Sequence, residues 1–218
     1  ITEPVIFVRG EDVNRALADF VAMEAILGEY GSTVVELRSS NSYSSGVYRM
    51  TMSEYIASLQ TAAPGDGLAN ETYYLFGGNS GALWDKIDDI YVLPGCEYCA
   101  EAGAVIPGLG GRSSGVSFHF HGPGFSEVVT GAKRWFLYPP SSASSTRLAP
   151  GFHPDMSVAQ WVNEVYPSLQ NGERPLECVI RPGEVLFFPD RWMHATLNVE
   201  DYVFFISLFL DPQLMVLN

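Results

Sequence analysis

Basic residues are scarce in this chain. Twelve Lys and Arg stand against 25 Asp and Glu in 218 residues, a formal net charge of −13. Binding to nucleic acid needs clustered Lys and Arg to displace counterions from phosphates, and an anionic membrane surface makes a similar demand. The charge argues against both partner classes. The acidic balance reads as a solvated exterior, with an acidic face for a basic partner protein as the alternative.

Long apolar runs are also missing. The longest, Tyr202–Leu210, is interrupted by Ser207 and is strand-sized; a membrane-crossing helix needs ~20 apolar residues. Ile1–Arg9 shows no basic segment followed by an apolar one, so the sequence is expected to be a mature form whose leader is gone. Cysteine is nearly absent. With one C-x-x-C pair, Cys96 and Cys99, and the lone Cys178, no four-thiolate zinc site can be assembled. A short-loop disulfide or two quiet thiols is the reading for the pair, ahead of redox catalysis. Cys178, in the strand-like Glu177–Arg181, reads as a small core residue. The single N-glycosylation sequon, Asn70-Glu71-Thr72, closes a turn-rich stretch and makes Asn70 a candidate glycan site in a secretory compartment.

What is present is a core. Hydrophobic residues make up 47% of the chain, with 21 Gly and 14 Pro, which suits a β-rich globule with many tight turns and argues against disorder. Apolar residues from Val13 to Leu27 recur at helical spacing, predicting one helix over Glu11–Tyr30. A capping-box pattern at Thr51 and Glu54 opens a second helix. Short strands are predicted at Thr33–Leu37, Val47–Met50, Tyr73–Phe76, Ile90–Leu93, Val116–His121, Glu127–Val129, Lys133–Tyr138, Cys178–Arg181, Glu184–Phe188, Ala195–Val199 and Tyr202–Leu210, with a helix over Ser157–Tyr166. Hairpin turns are expected at Thr130–Ala132 and Arg181–Glu184. Many short strands with regular breaks indicate a sandwich or barrel. One domain over residues 1–218 follows, with 1–72 as N-terminal helix-and-strand decoration and 73–218 as the β core.

Histidine carries the chemistry. There are four, and three lie in or beside strand-like segments. His119 and His121 are two apart, so on a strand both rings project from one face and can share one ion. His194 follows at a distance. Three protein nitrogens leave open positions for water or substrate, and suit iron, zinc, copper or nickel. His153, before Pro154, reads as structural or surface. The alternative for the triad is three histidines without metal.

The surroundings of the triad resemble the jumonji-C family of Fe(II)- and 2-oxoglutarate-dependent oxygenases. Three ordered blocks carry the likeness: His119-Phe120-His121; Gly131-Ala132-Lys133-Arg134-Trp135 continuing to Leu137-Tyr138-Pro139; and Gly183-Glu184-Val185-Leu186-Phe187-Phe188-Pro189-Asp190-Arg191-Trp192-Met193-His194. A lumenal branch of the family is similar over most of the chain, through His119–Val128, Arg174–Cys178, Leu68–Gly77 and Asn41-Ser42-Tyr43. The resemblance implies a mainly β protein with N-terminal helices (α+β), built on a double-stranded β-helix, the jelly-roll or cupin barrel. It implies residence in the lumen of the endoplasmic reticulum, in keeping with a glycan on Asn70. It assigns His119, His121 and His194 to Fe(II) or another divalent metal, and Lys133 to the far carboxylate of 2-oxoglutarate; a lysine pointing to solvent beside a turn is the alternative. Trp135 and Trp192 are expected to pack.

Two departures from the pattern stand out. His121 occupies the place of the usual Asp or Glu, which leaves the metal site one positive charge richer. Val116 stands where a Thr or Ser is common, and Phe125 and Ser126 near the place of an Asn. Three functions remain open: an oxygenase acting on a protein side chain, a non-catalytic jumonji barrel that binds or assembles with a partner protein, and a three-histidine dioxygenase that needs no 2-oxoglutarate.

Overall fold

Strands of this chain fall into two sheets that face each other, and alternation along each strand decides what lies between them. The computed structural model describes residues 1–39, 46–61, 72–77, 81–95, 104–140 and 149–210. Asn70, Cys96, Cys99 and the stretch Asn41-Ser42-Tyr43 lie outside them. In order the elements are β1 (Val5–Val8), α1 (Arg15–Phe20), α2 (Met23–Tyr30), β2 (Val34–Ser39), β3 (Val47–Thr51), α3 (Met52–Thr61), β4 (Tyr73–Phe76), α4 (Ala82–Ile90), β5 (Ala104–Gly110), β6 (Gly124–Thr130), β7 (Lys133–Tyr138), α5 (Val158–Glu164), β8 (Leu176–Ile180), β9 (Glu184–Phe188), β10 (Met193–Asn198) and β11 (Val203–Phe209).

The larger sheet has the order β1-β9-β6-β11-β5-β4-β2-β3 and the smaller one β10-β7-β8. Residues 113–121 run along the free side of β10, tied by His119 N to His194 O at 3.0 Å, His194 N to His119 O at 2.8 Å, Thr196 N to Val116 O at 3.0 Å and Asn198 N to Ser114 O at 2.8 Å. Inner-face residues Val128, Trp135, Leu137, Leu186, Phe188 and Phe205 pack between the sheets. The outer face of the larger sheet is covered by the helices, through Leu17, Ile26, Tyr55, Trp84 and Ile87. On the outer face of the smaller sheet α5 lays Trp161 against Phe118, Phe136 and Ala195. This is the antiparallel double-stranded β-helix.

Several sequence expectations are corrected. The helix over Glu11–Tyr30 is two helices, because the Tyr202 hydroxyl donates to Val21 O at 2.8 Å and takes a carbonyl the continuing helix would need. Ile90–Leu93 is no strand; Ile90 ends α4, whose apolar residues Leu83, Trp84 and Ile87 are buried. The turns at Thr130–Ala132 and Arg181–Glu184 exist but make no hairpins, since β6 and β9 lie in one sheet and β7 and β8 in the other. Val116–His121 forms one isolated bridge, His119 to His194, rather than a ladder. Its amide ladder is diverted where Val116 N donates to the Thr196 hydroxyl at 3.1 Å. A Cβ on Gly115 would lie 1.9 Å from Thr196 O, so only glycine permits this approach. β1 and β5 were not expected. Other elements match: the capping box at Thr51 is formed, with Glu54 N donating to Thr51 Oγ1 at 3.2 Å and Thr51 N to Glu54 Oε2 at 2.8 Å. Ser157 caps α5 through Gln160 N.

A charged cluster fastens the first residues to the back of the barrel. Glu127, on the outer face of β6, is 2% exposed. It accepts from Arg9 Nη1 at 2.7 Å, Asn14 Nδ2 at 2.9 Å and the Tyr91 hydroxyl at 2.8 Å. Arg9 also donates to Val92 O and Leu93 O. A carboxylate can be buried at such low cost only when its lone pairs are filled in this way.

Candidate metal centre

The three histidines converge because two backbones carry them to one point. His119 and His194 exchange both backbone hydrogen bonds, so they sit directly opposite and their rings lie on the same side, 4.3 Å between centroids. His121, two residues on, brings its ring to 4.8 Å from that of His194. Ligand atoms of all three lie within 4.8 Å of one another. Two nitrogens held on one ion at about 2.1 Å each lie no more than roughly 4 Å apart, so a spread within 4.8 Å is close to what a shared ion requires.

The protonation state follows from the partners. His119 Nδ1 lies 2.7 Å from Ser117 O, His121 Nδ1 2.7 Å from Gly122 O, and His194 Nδ1 2.8 Å from Trp192 O. A carbonyl can only accept, so each Nδ1 must carry the proton and each Nε2 keeps a free lone pair. Burial pushes the His119 imidazole down to about 4, lowers that of His121, and lowers His194 well below the ordinary histidine value. All three rings are therefore neutral at physiological pH. Neutral imidazoles with oriented Nε2 lone pairs are what a divalent metal requires. Around them stand Phe188, 5.4 Å from the His121 ring and 4.9 Å from that of His194, and Phe209, 4.6 Å from that of His121. On the outside, Phe120 is exposed beside the histidines.

Deeper in the same interior lies Lys133. It is 1% exposed, so the solvent-facing alternative does not hold. Its ammonium donates to Asn198 Oδ1 at 3.0 Å and stands 3.7 Å over the ring of Phe205. Among the described residues no carboxylate pairs with it, and burial pushes its ammonium down to about 7. The Asn198 amide is itself fixed: Ser114 Oγ donates to Gly111 O at 2.7 Å and so can accept Asn198 Nδ2 at 3.1 Å, which turns Oδ1 toward the lysine. Gly108 leaves room for the Phe205 ring, since a Cβ there would meet it at 2.2 Å. Sequence reasoning passed over Asn198, Thr196 and Ser114. The available signal was the alternation His194, Thr196, Asn198, three polar residues on one strand face, all buried.

The remaining candidates separate cleanly. His153 is exposed and away from the triad, its Nδ1 accepting from Asp155 N at 3.2 Å. Cys178 is a half-buried free thiol that packs at the margin of the interior cluster. Trp135 and Trp192 are buried in that cluster, as expected.

Comparisons with known proteins agree with this geometry. A family model described as a cupin-like domain matches residues 36–213. JmjC domain-containing protein 8 of Mus musculus is 42% identical over 208 residues, covering 95% of this chain and 74% of that protein. The 2-oxoglutarate and iron-dependent oxygenase JMJD4 of Gallus gallus is 31% identical over 100 residues, 44% of this chain and 24% of that protein. Among solved structures, the Escherichia coli ribosomal oxygenase YcfD superposes with a TM-score of 0.51 at 16% identity, over 95% of this chain and 48% of that one, a likeness of fold. On fold, sequence and the order of its three blocks, the chain belongs to the cupin-like JmjC domain family.

Proposed function

We propose that this chain is an Fe(II)- and 2-oxoglutarate-dependent oxygenase of the protein-hydroxylase type. One observation carries the reading: a single closed interior holds three neutral, backbone-oriented imidazoles at one level and a buried ammonium without a carboxylate partner at another. The first suits a metal and the second an anion. His119, His121 and His194 would hold Fe(II), and the same donors accept other divalent ions. Lys133 would hold the far carboxylate of 2-oxoglutarate, relieving the cost of its own burial. When bound, the metal and oxo-acid supply oxygen activation toward a C–H bond. The chain's own residues bind and orient: the carbonyls of Ser117, Gly122 and Trp192 hold the imidazole tautomers, Asn198 aims Lys133, and Phe188 and Phe209 keep water from the rings. With His121 in place of a carboxylate the metal site keeps a charge of +2, which favours a dianionic co-substrate. The side chain of a protein substrate would enter beside Phe120. Residence in the endoplasmic reticulum lumen, with a glycan on Asn70, belongs to the same proposal and rests on the sequon and the lumenal resemblance.

A second reading is a metal-holding barrel without turnover, a binding or assembly subunit; His121 and the apolar Val116 favour it. Anaerobic titration of the iron-loaded protein with 2-oxoglutarate separates the two. The oxygenase gives a visible charge-transfer band, then succinate on admission of air, and His194→Ala loses both. A protein that takes up iron yet shows neither band nor succinate is the second kind.

A further inference from the structure

We infer that the indole N–H of Trp135 is a direct hydrogen-bond donor to an acceptor oxygen of the oxo-acid bound between the histidines and Lys133. The inference rests on the co-substrate assigned above and adds to it a contact that neither the triad nor the lysine provides.

Strand register sets the position. On β7, Lys133, Trp135 and Leu137 share the inner face and are all buried. Their partners on β10 are Asn198, Thr196 and His194 respectively. Trp135 therefore occupies the rung between the level of the metal ligands and the level of the buried ammonium, about 7 Å along the strand from each. The opposite wall repeats the order. On β11, Phe209 stands against His121 and Phe205 against Lys133, with Ser207 between them. Ser207 pairs with Ser126 on β6, their hydroxyl oxygens 3.5 Å apart, and both residues are buried. The middle level is thus lined by an indole on one side and by hydroxyls on the other, inside an otherwise apolar cluster.

The ring is packed between aromatic neighbours. It stacks on Phe188 at 5.4 Å with 25° between planes and lies 5.6 Å from the His194 ring. Its Nε1 is fully buried and finds no acceptor among the described residues. Trp161, equally buried, shows the ordinary solution, donating to Pro150 O at 2.9 Å. A buried indole N–H without an acceptor is destabilising and rare in native proteins, and a functional partner is one of the few reasons to keep it. The stack on Phe188 needs only an aromatic face; the N–H is what phenylalanine would lack. An oxo-acid spanning from the triad to Lys133 passes this rung and presents carboxylate or keto oxygens, which accept without donating.

The test uses the full chain loaded with zinc, which is redox-silent, and 2-oxoglutarate as the probe. The chain has four Trp, so its indole N–H resonances are few, and Trp135 is identified by nuclear Overhauser contacts to Phe188 and His194. The expected result is a downfield move of the Trp135 indole proton on saturation, while the N–H of Trp161 stays in place. Trp135→Phe is expected to bind zinc normally and 2-oxoglutarate roughly 10- to 100-fold more weakly, the worth of a hydrogen bond to a charged acceptor. Binding of 2-oxoglutarate that leaves the wild-type Trp135 resonance unmoved overturns this inference alone, whether or not the variant folds. If the zinc-loaded wild type binds no 2-oxoglutarate at all, the co-substrate assignment fails and takes this inference with it.

Discussion

Replacing Lys133 by Met asks whether the lysine serves the fold or a ligand. The side chains match in length and volume, so packing against Phe205 is kept while the charge is removed. In the unfolded chain a lysine titrates at 10.5, and in the folded chain burial brings it to about 7. Between those values the unfolded state binds more protons, so the lysine's penalty is fully present below pH 7 and fades as pH rises toward 10.5. That depression corresponds to roughly 5 kcal/mol. Two interactions offset part of it. The face of Phe205 returns up to about 2 kcal/mol, and the hydrogen bond to Asn198, lost in the variant, about 1–2. Lys133→Met is therefore expected to make the ligand-free protein more stable at pH 6, by about 2 kcal/mol, and indistinguishable from wild type at pH 10. Urea unfolding at the two pH values measures this. The counterpart is ligand response: saturating 2-oxoglutarate on the zinc-loaded protein stabilises wild type by about 2–3 kcal/mol at 100 times its dissociation constant, and the variant not at all. A variant less stable than wild type at pH 6 would refute the reasoning, because the lysine would then be holding the barrel together.

Two further outcomes follow from the same structure. Because burial leaves the three imidazoles reluctant to take a proton, zinc affinity measured by calorimetry should fall less between pH 7 and pH 6 than three ordinary histidines would make it; a tenfold loss by pH 6 would show that ordinary histidines compete. Glu127→Ala strips the partly buried Arg9 of its counter-charge and leaves Asn14 and Tyr91 without their acceptor, and should lower unfolding stability by about 3 kcal/mol, with zinc binding unchanged, since Glu127 faces away from the interior; a loss under 1 kcal/mol would mean that Arg9 is rehydrated.

The convergence of the three histidines was legible because strand alternation is strict. A two-residue spacing puts two rings on one face whatever surrounds them, and the third lay at the end of a recognisable block. The fold was legible from the same blocks and from the spacing of short strands. What escaped was whatever depends on a partner. β5 contains Pro107 and two glycines and reads as loop, yet Pro107 sits just where its neighbour β4 has ended, and Gly108 exists for the ring of Phe205. β1 is four apolar residues with no alternation to betray a strand, and its pairing to β9 is formed over 170 residues of separation. The helix before β2 is interrupted by a hydroxyl from Tyr202, a contact no local pattern reports. Trp135 was expected to pack, and it does; that its N–H would be left without an acceptor could be seen only once the whole interior was assembled.

Each of the three clustered imidazoles is steered by a peptide oxygen, from Ser117, Gly122 and Trp192, rather than by an aspartate or glutamine behind it. Main-chain atoms are indifferent to side-chain identity. The orienting shell of this centre therefore cannot be erased by point mutation, and residues around it are free to drift, exchanging charge, bulk or substrate preference, while the tautomers of the three donors stay set by the path of the chain itself.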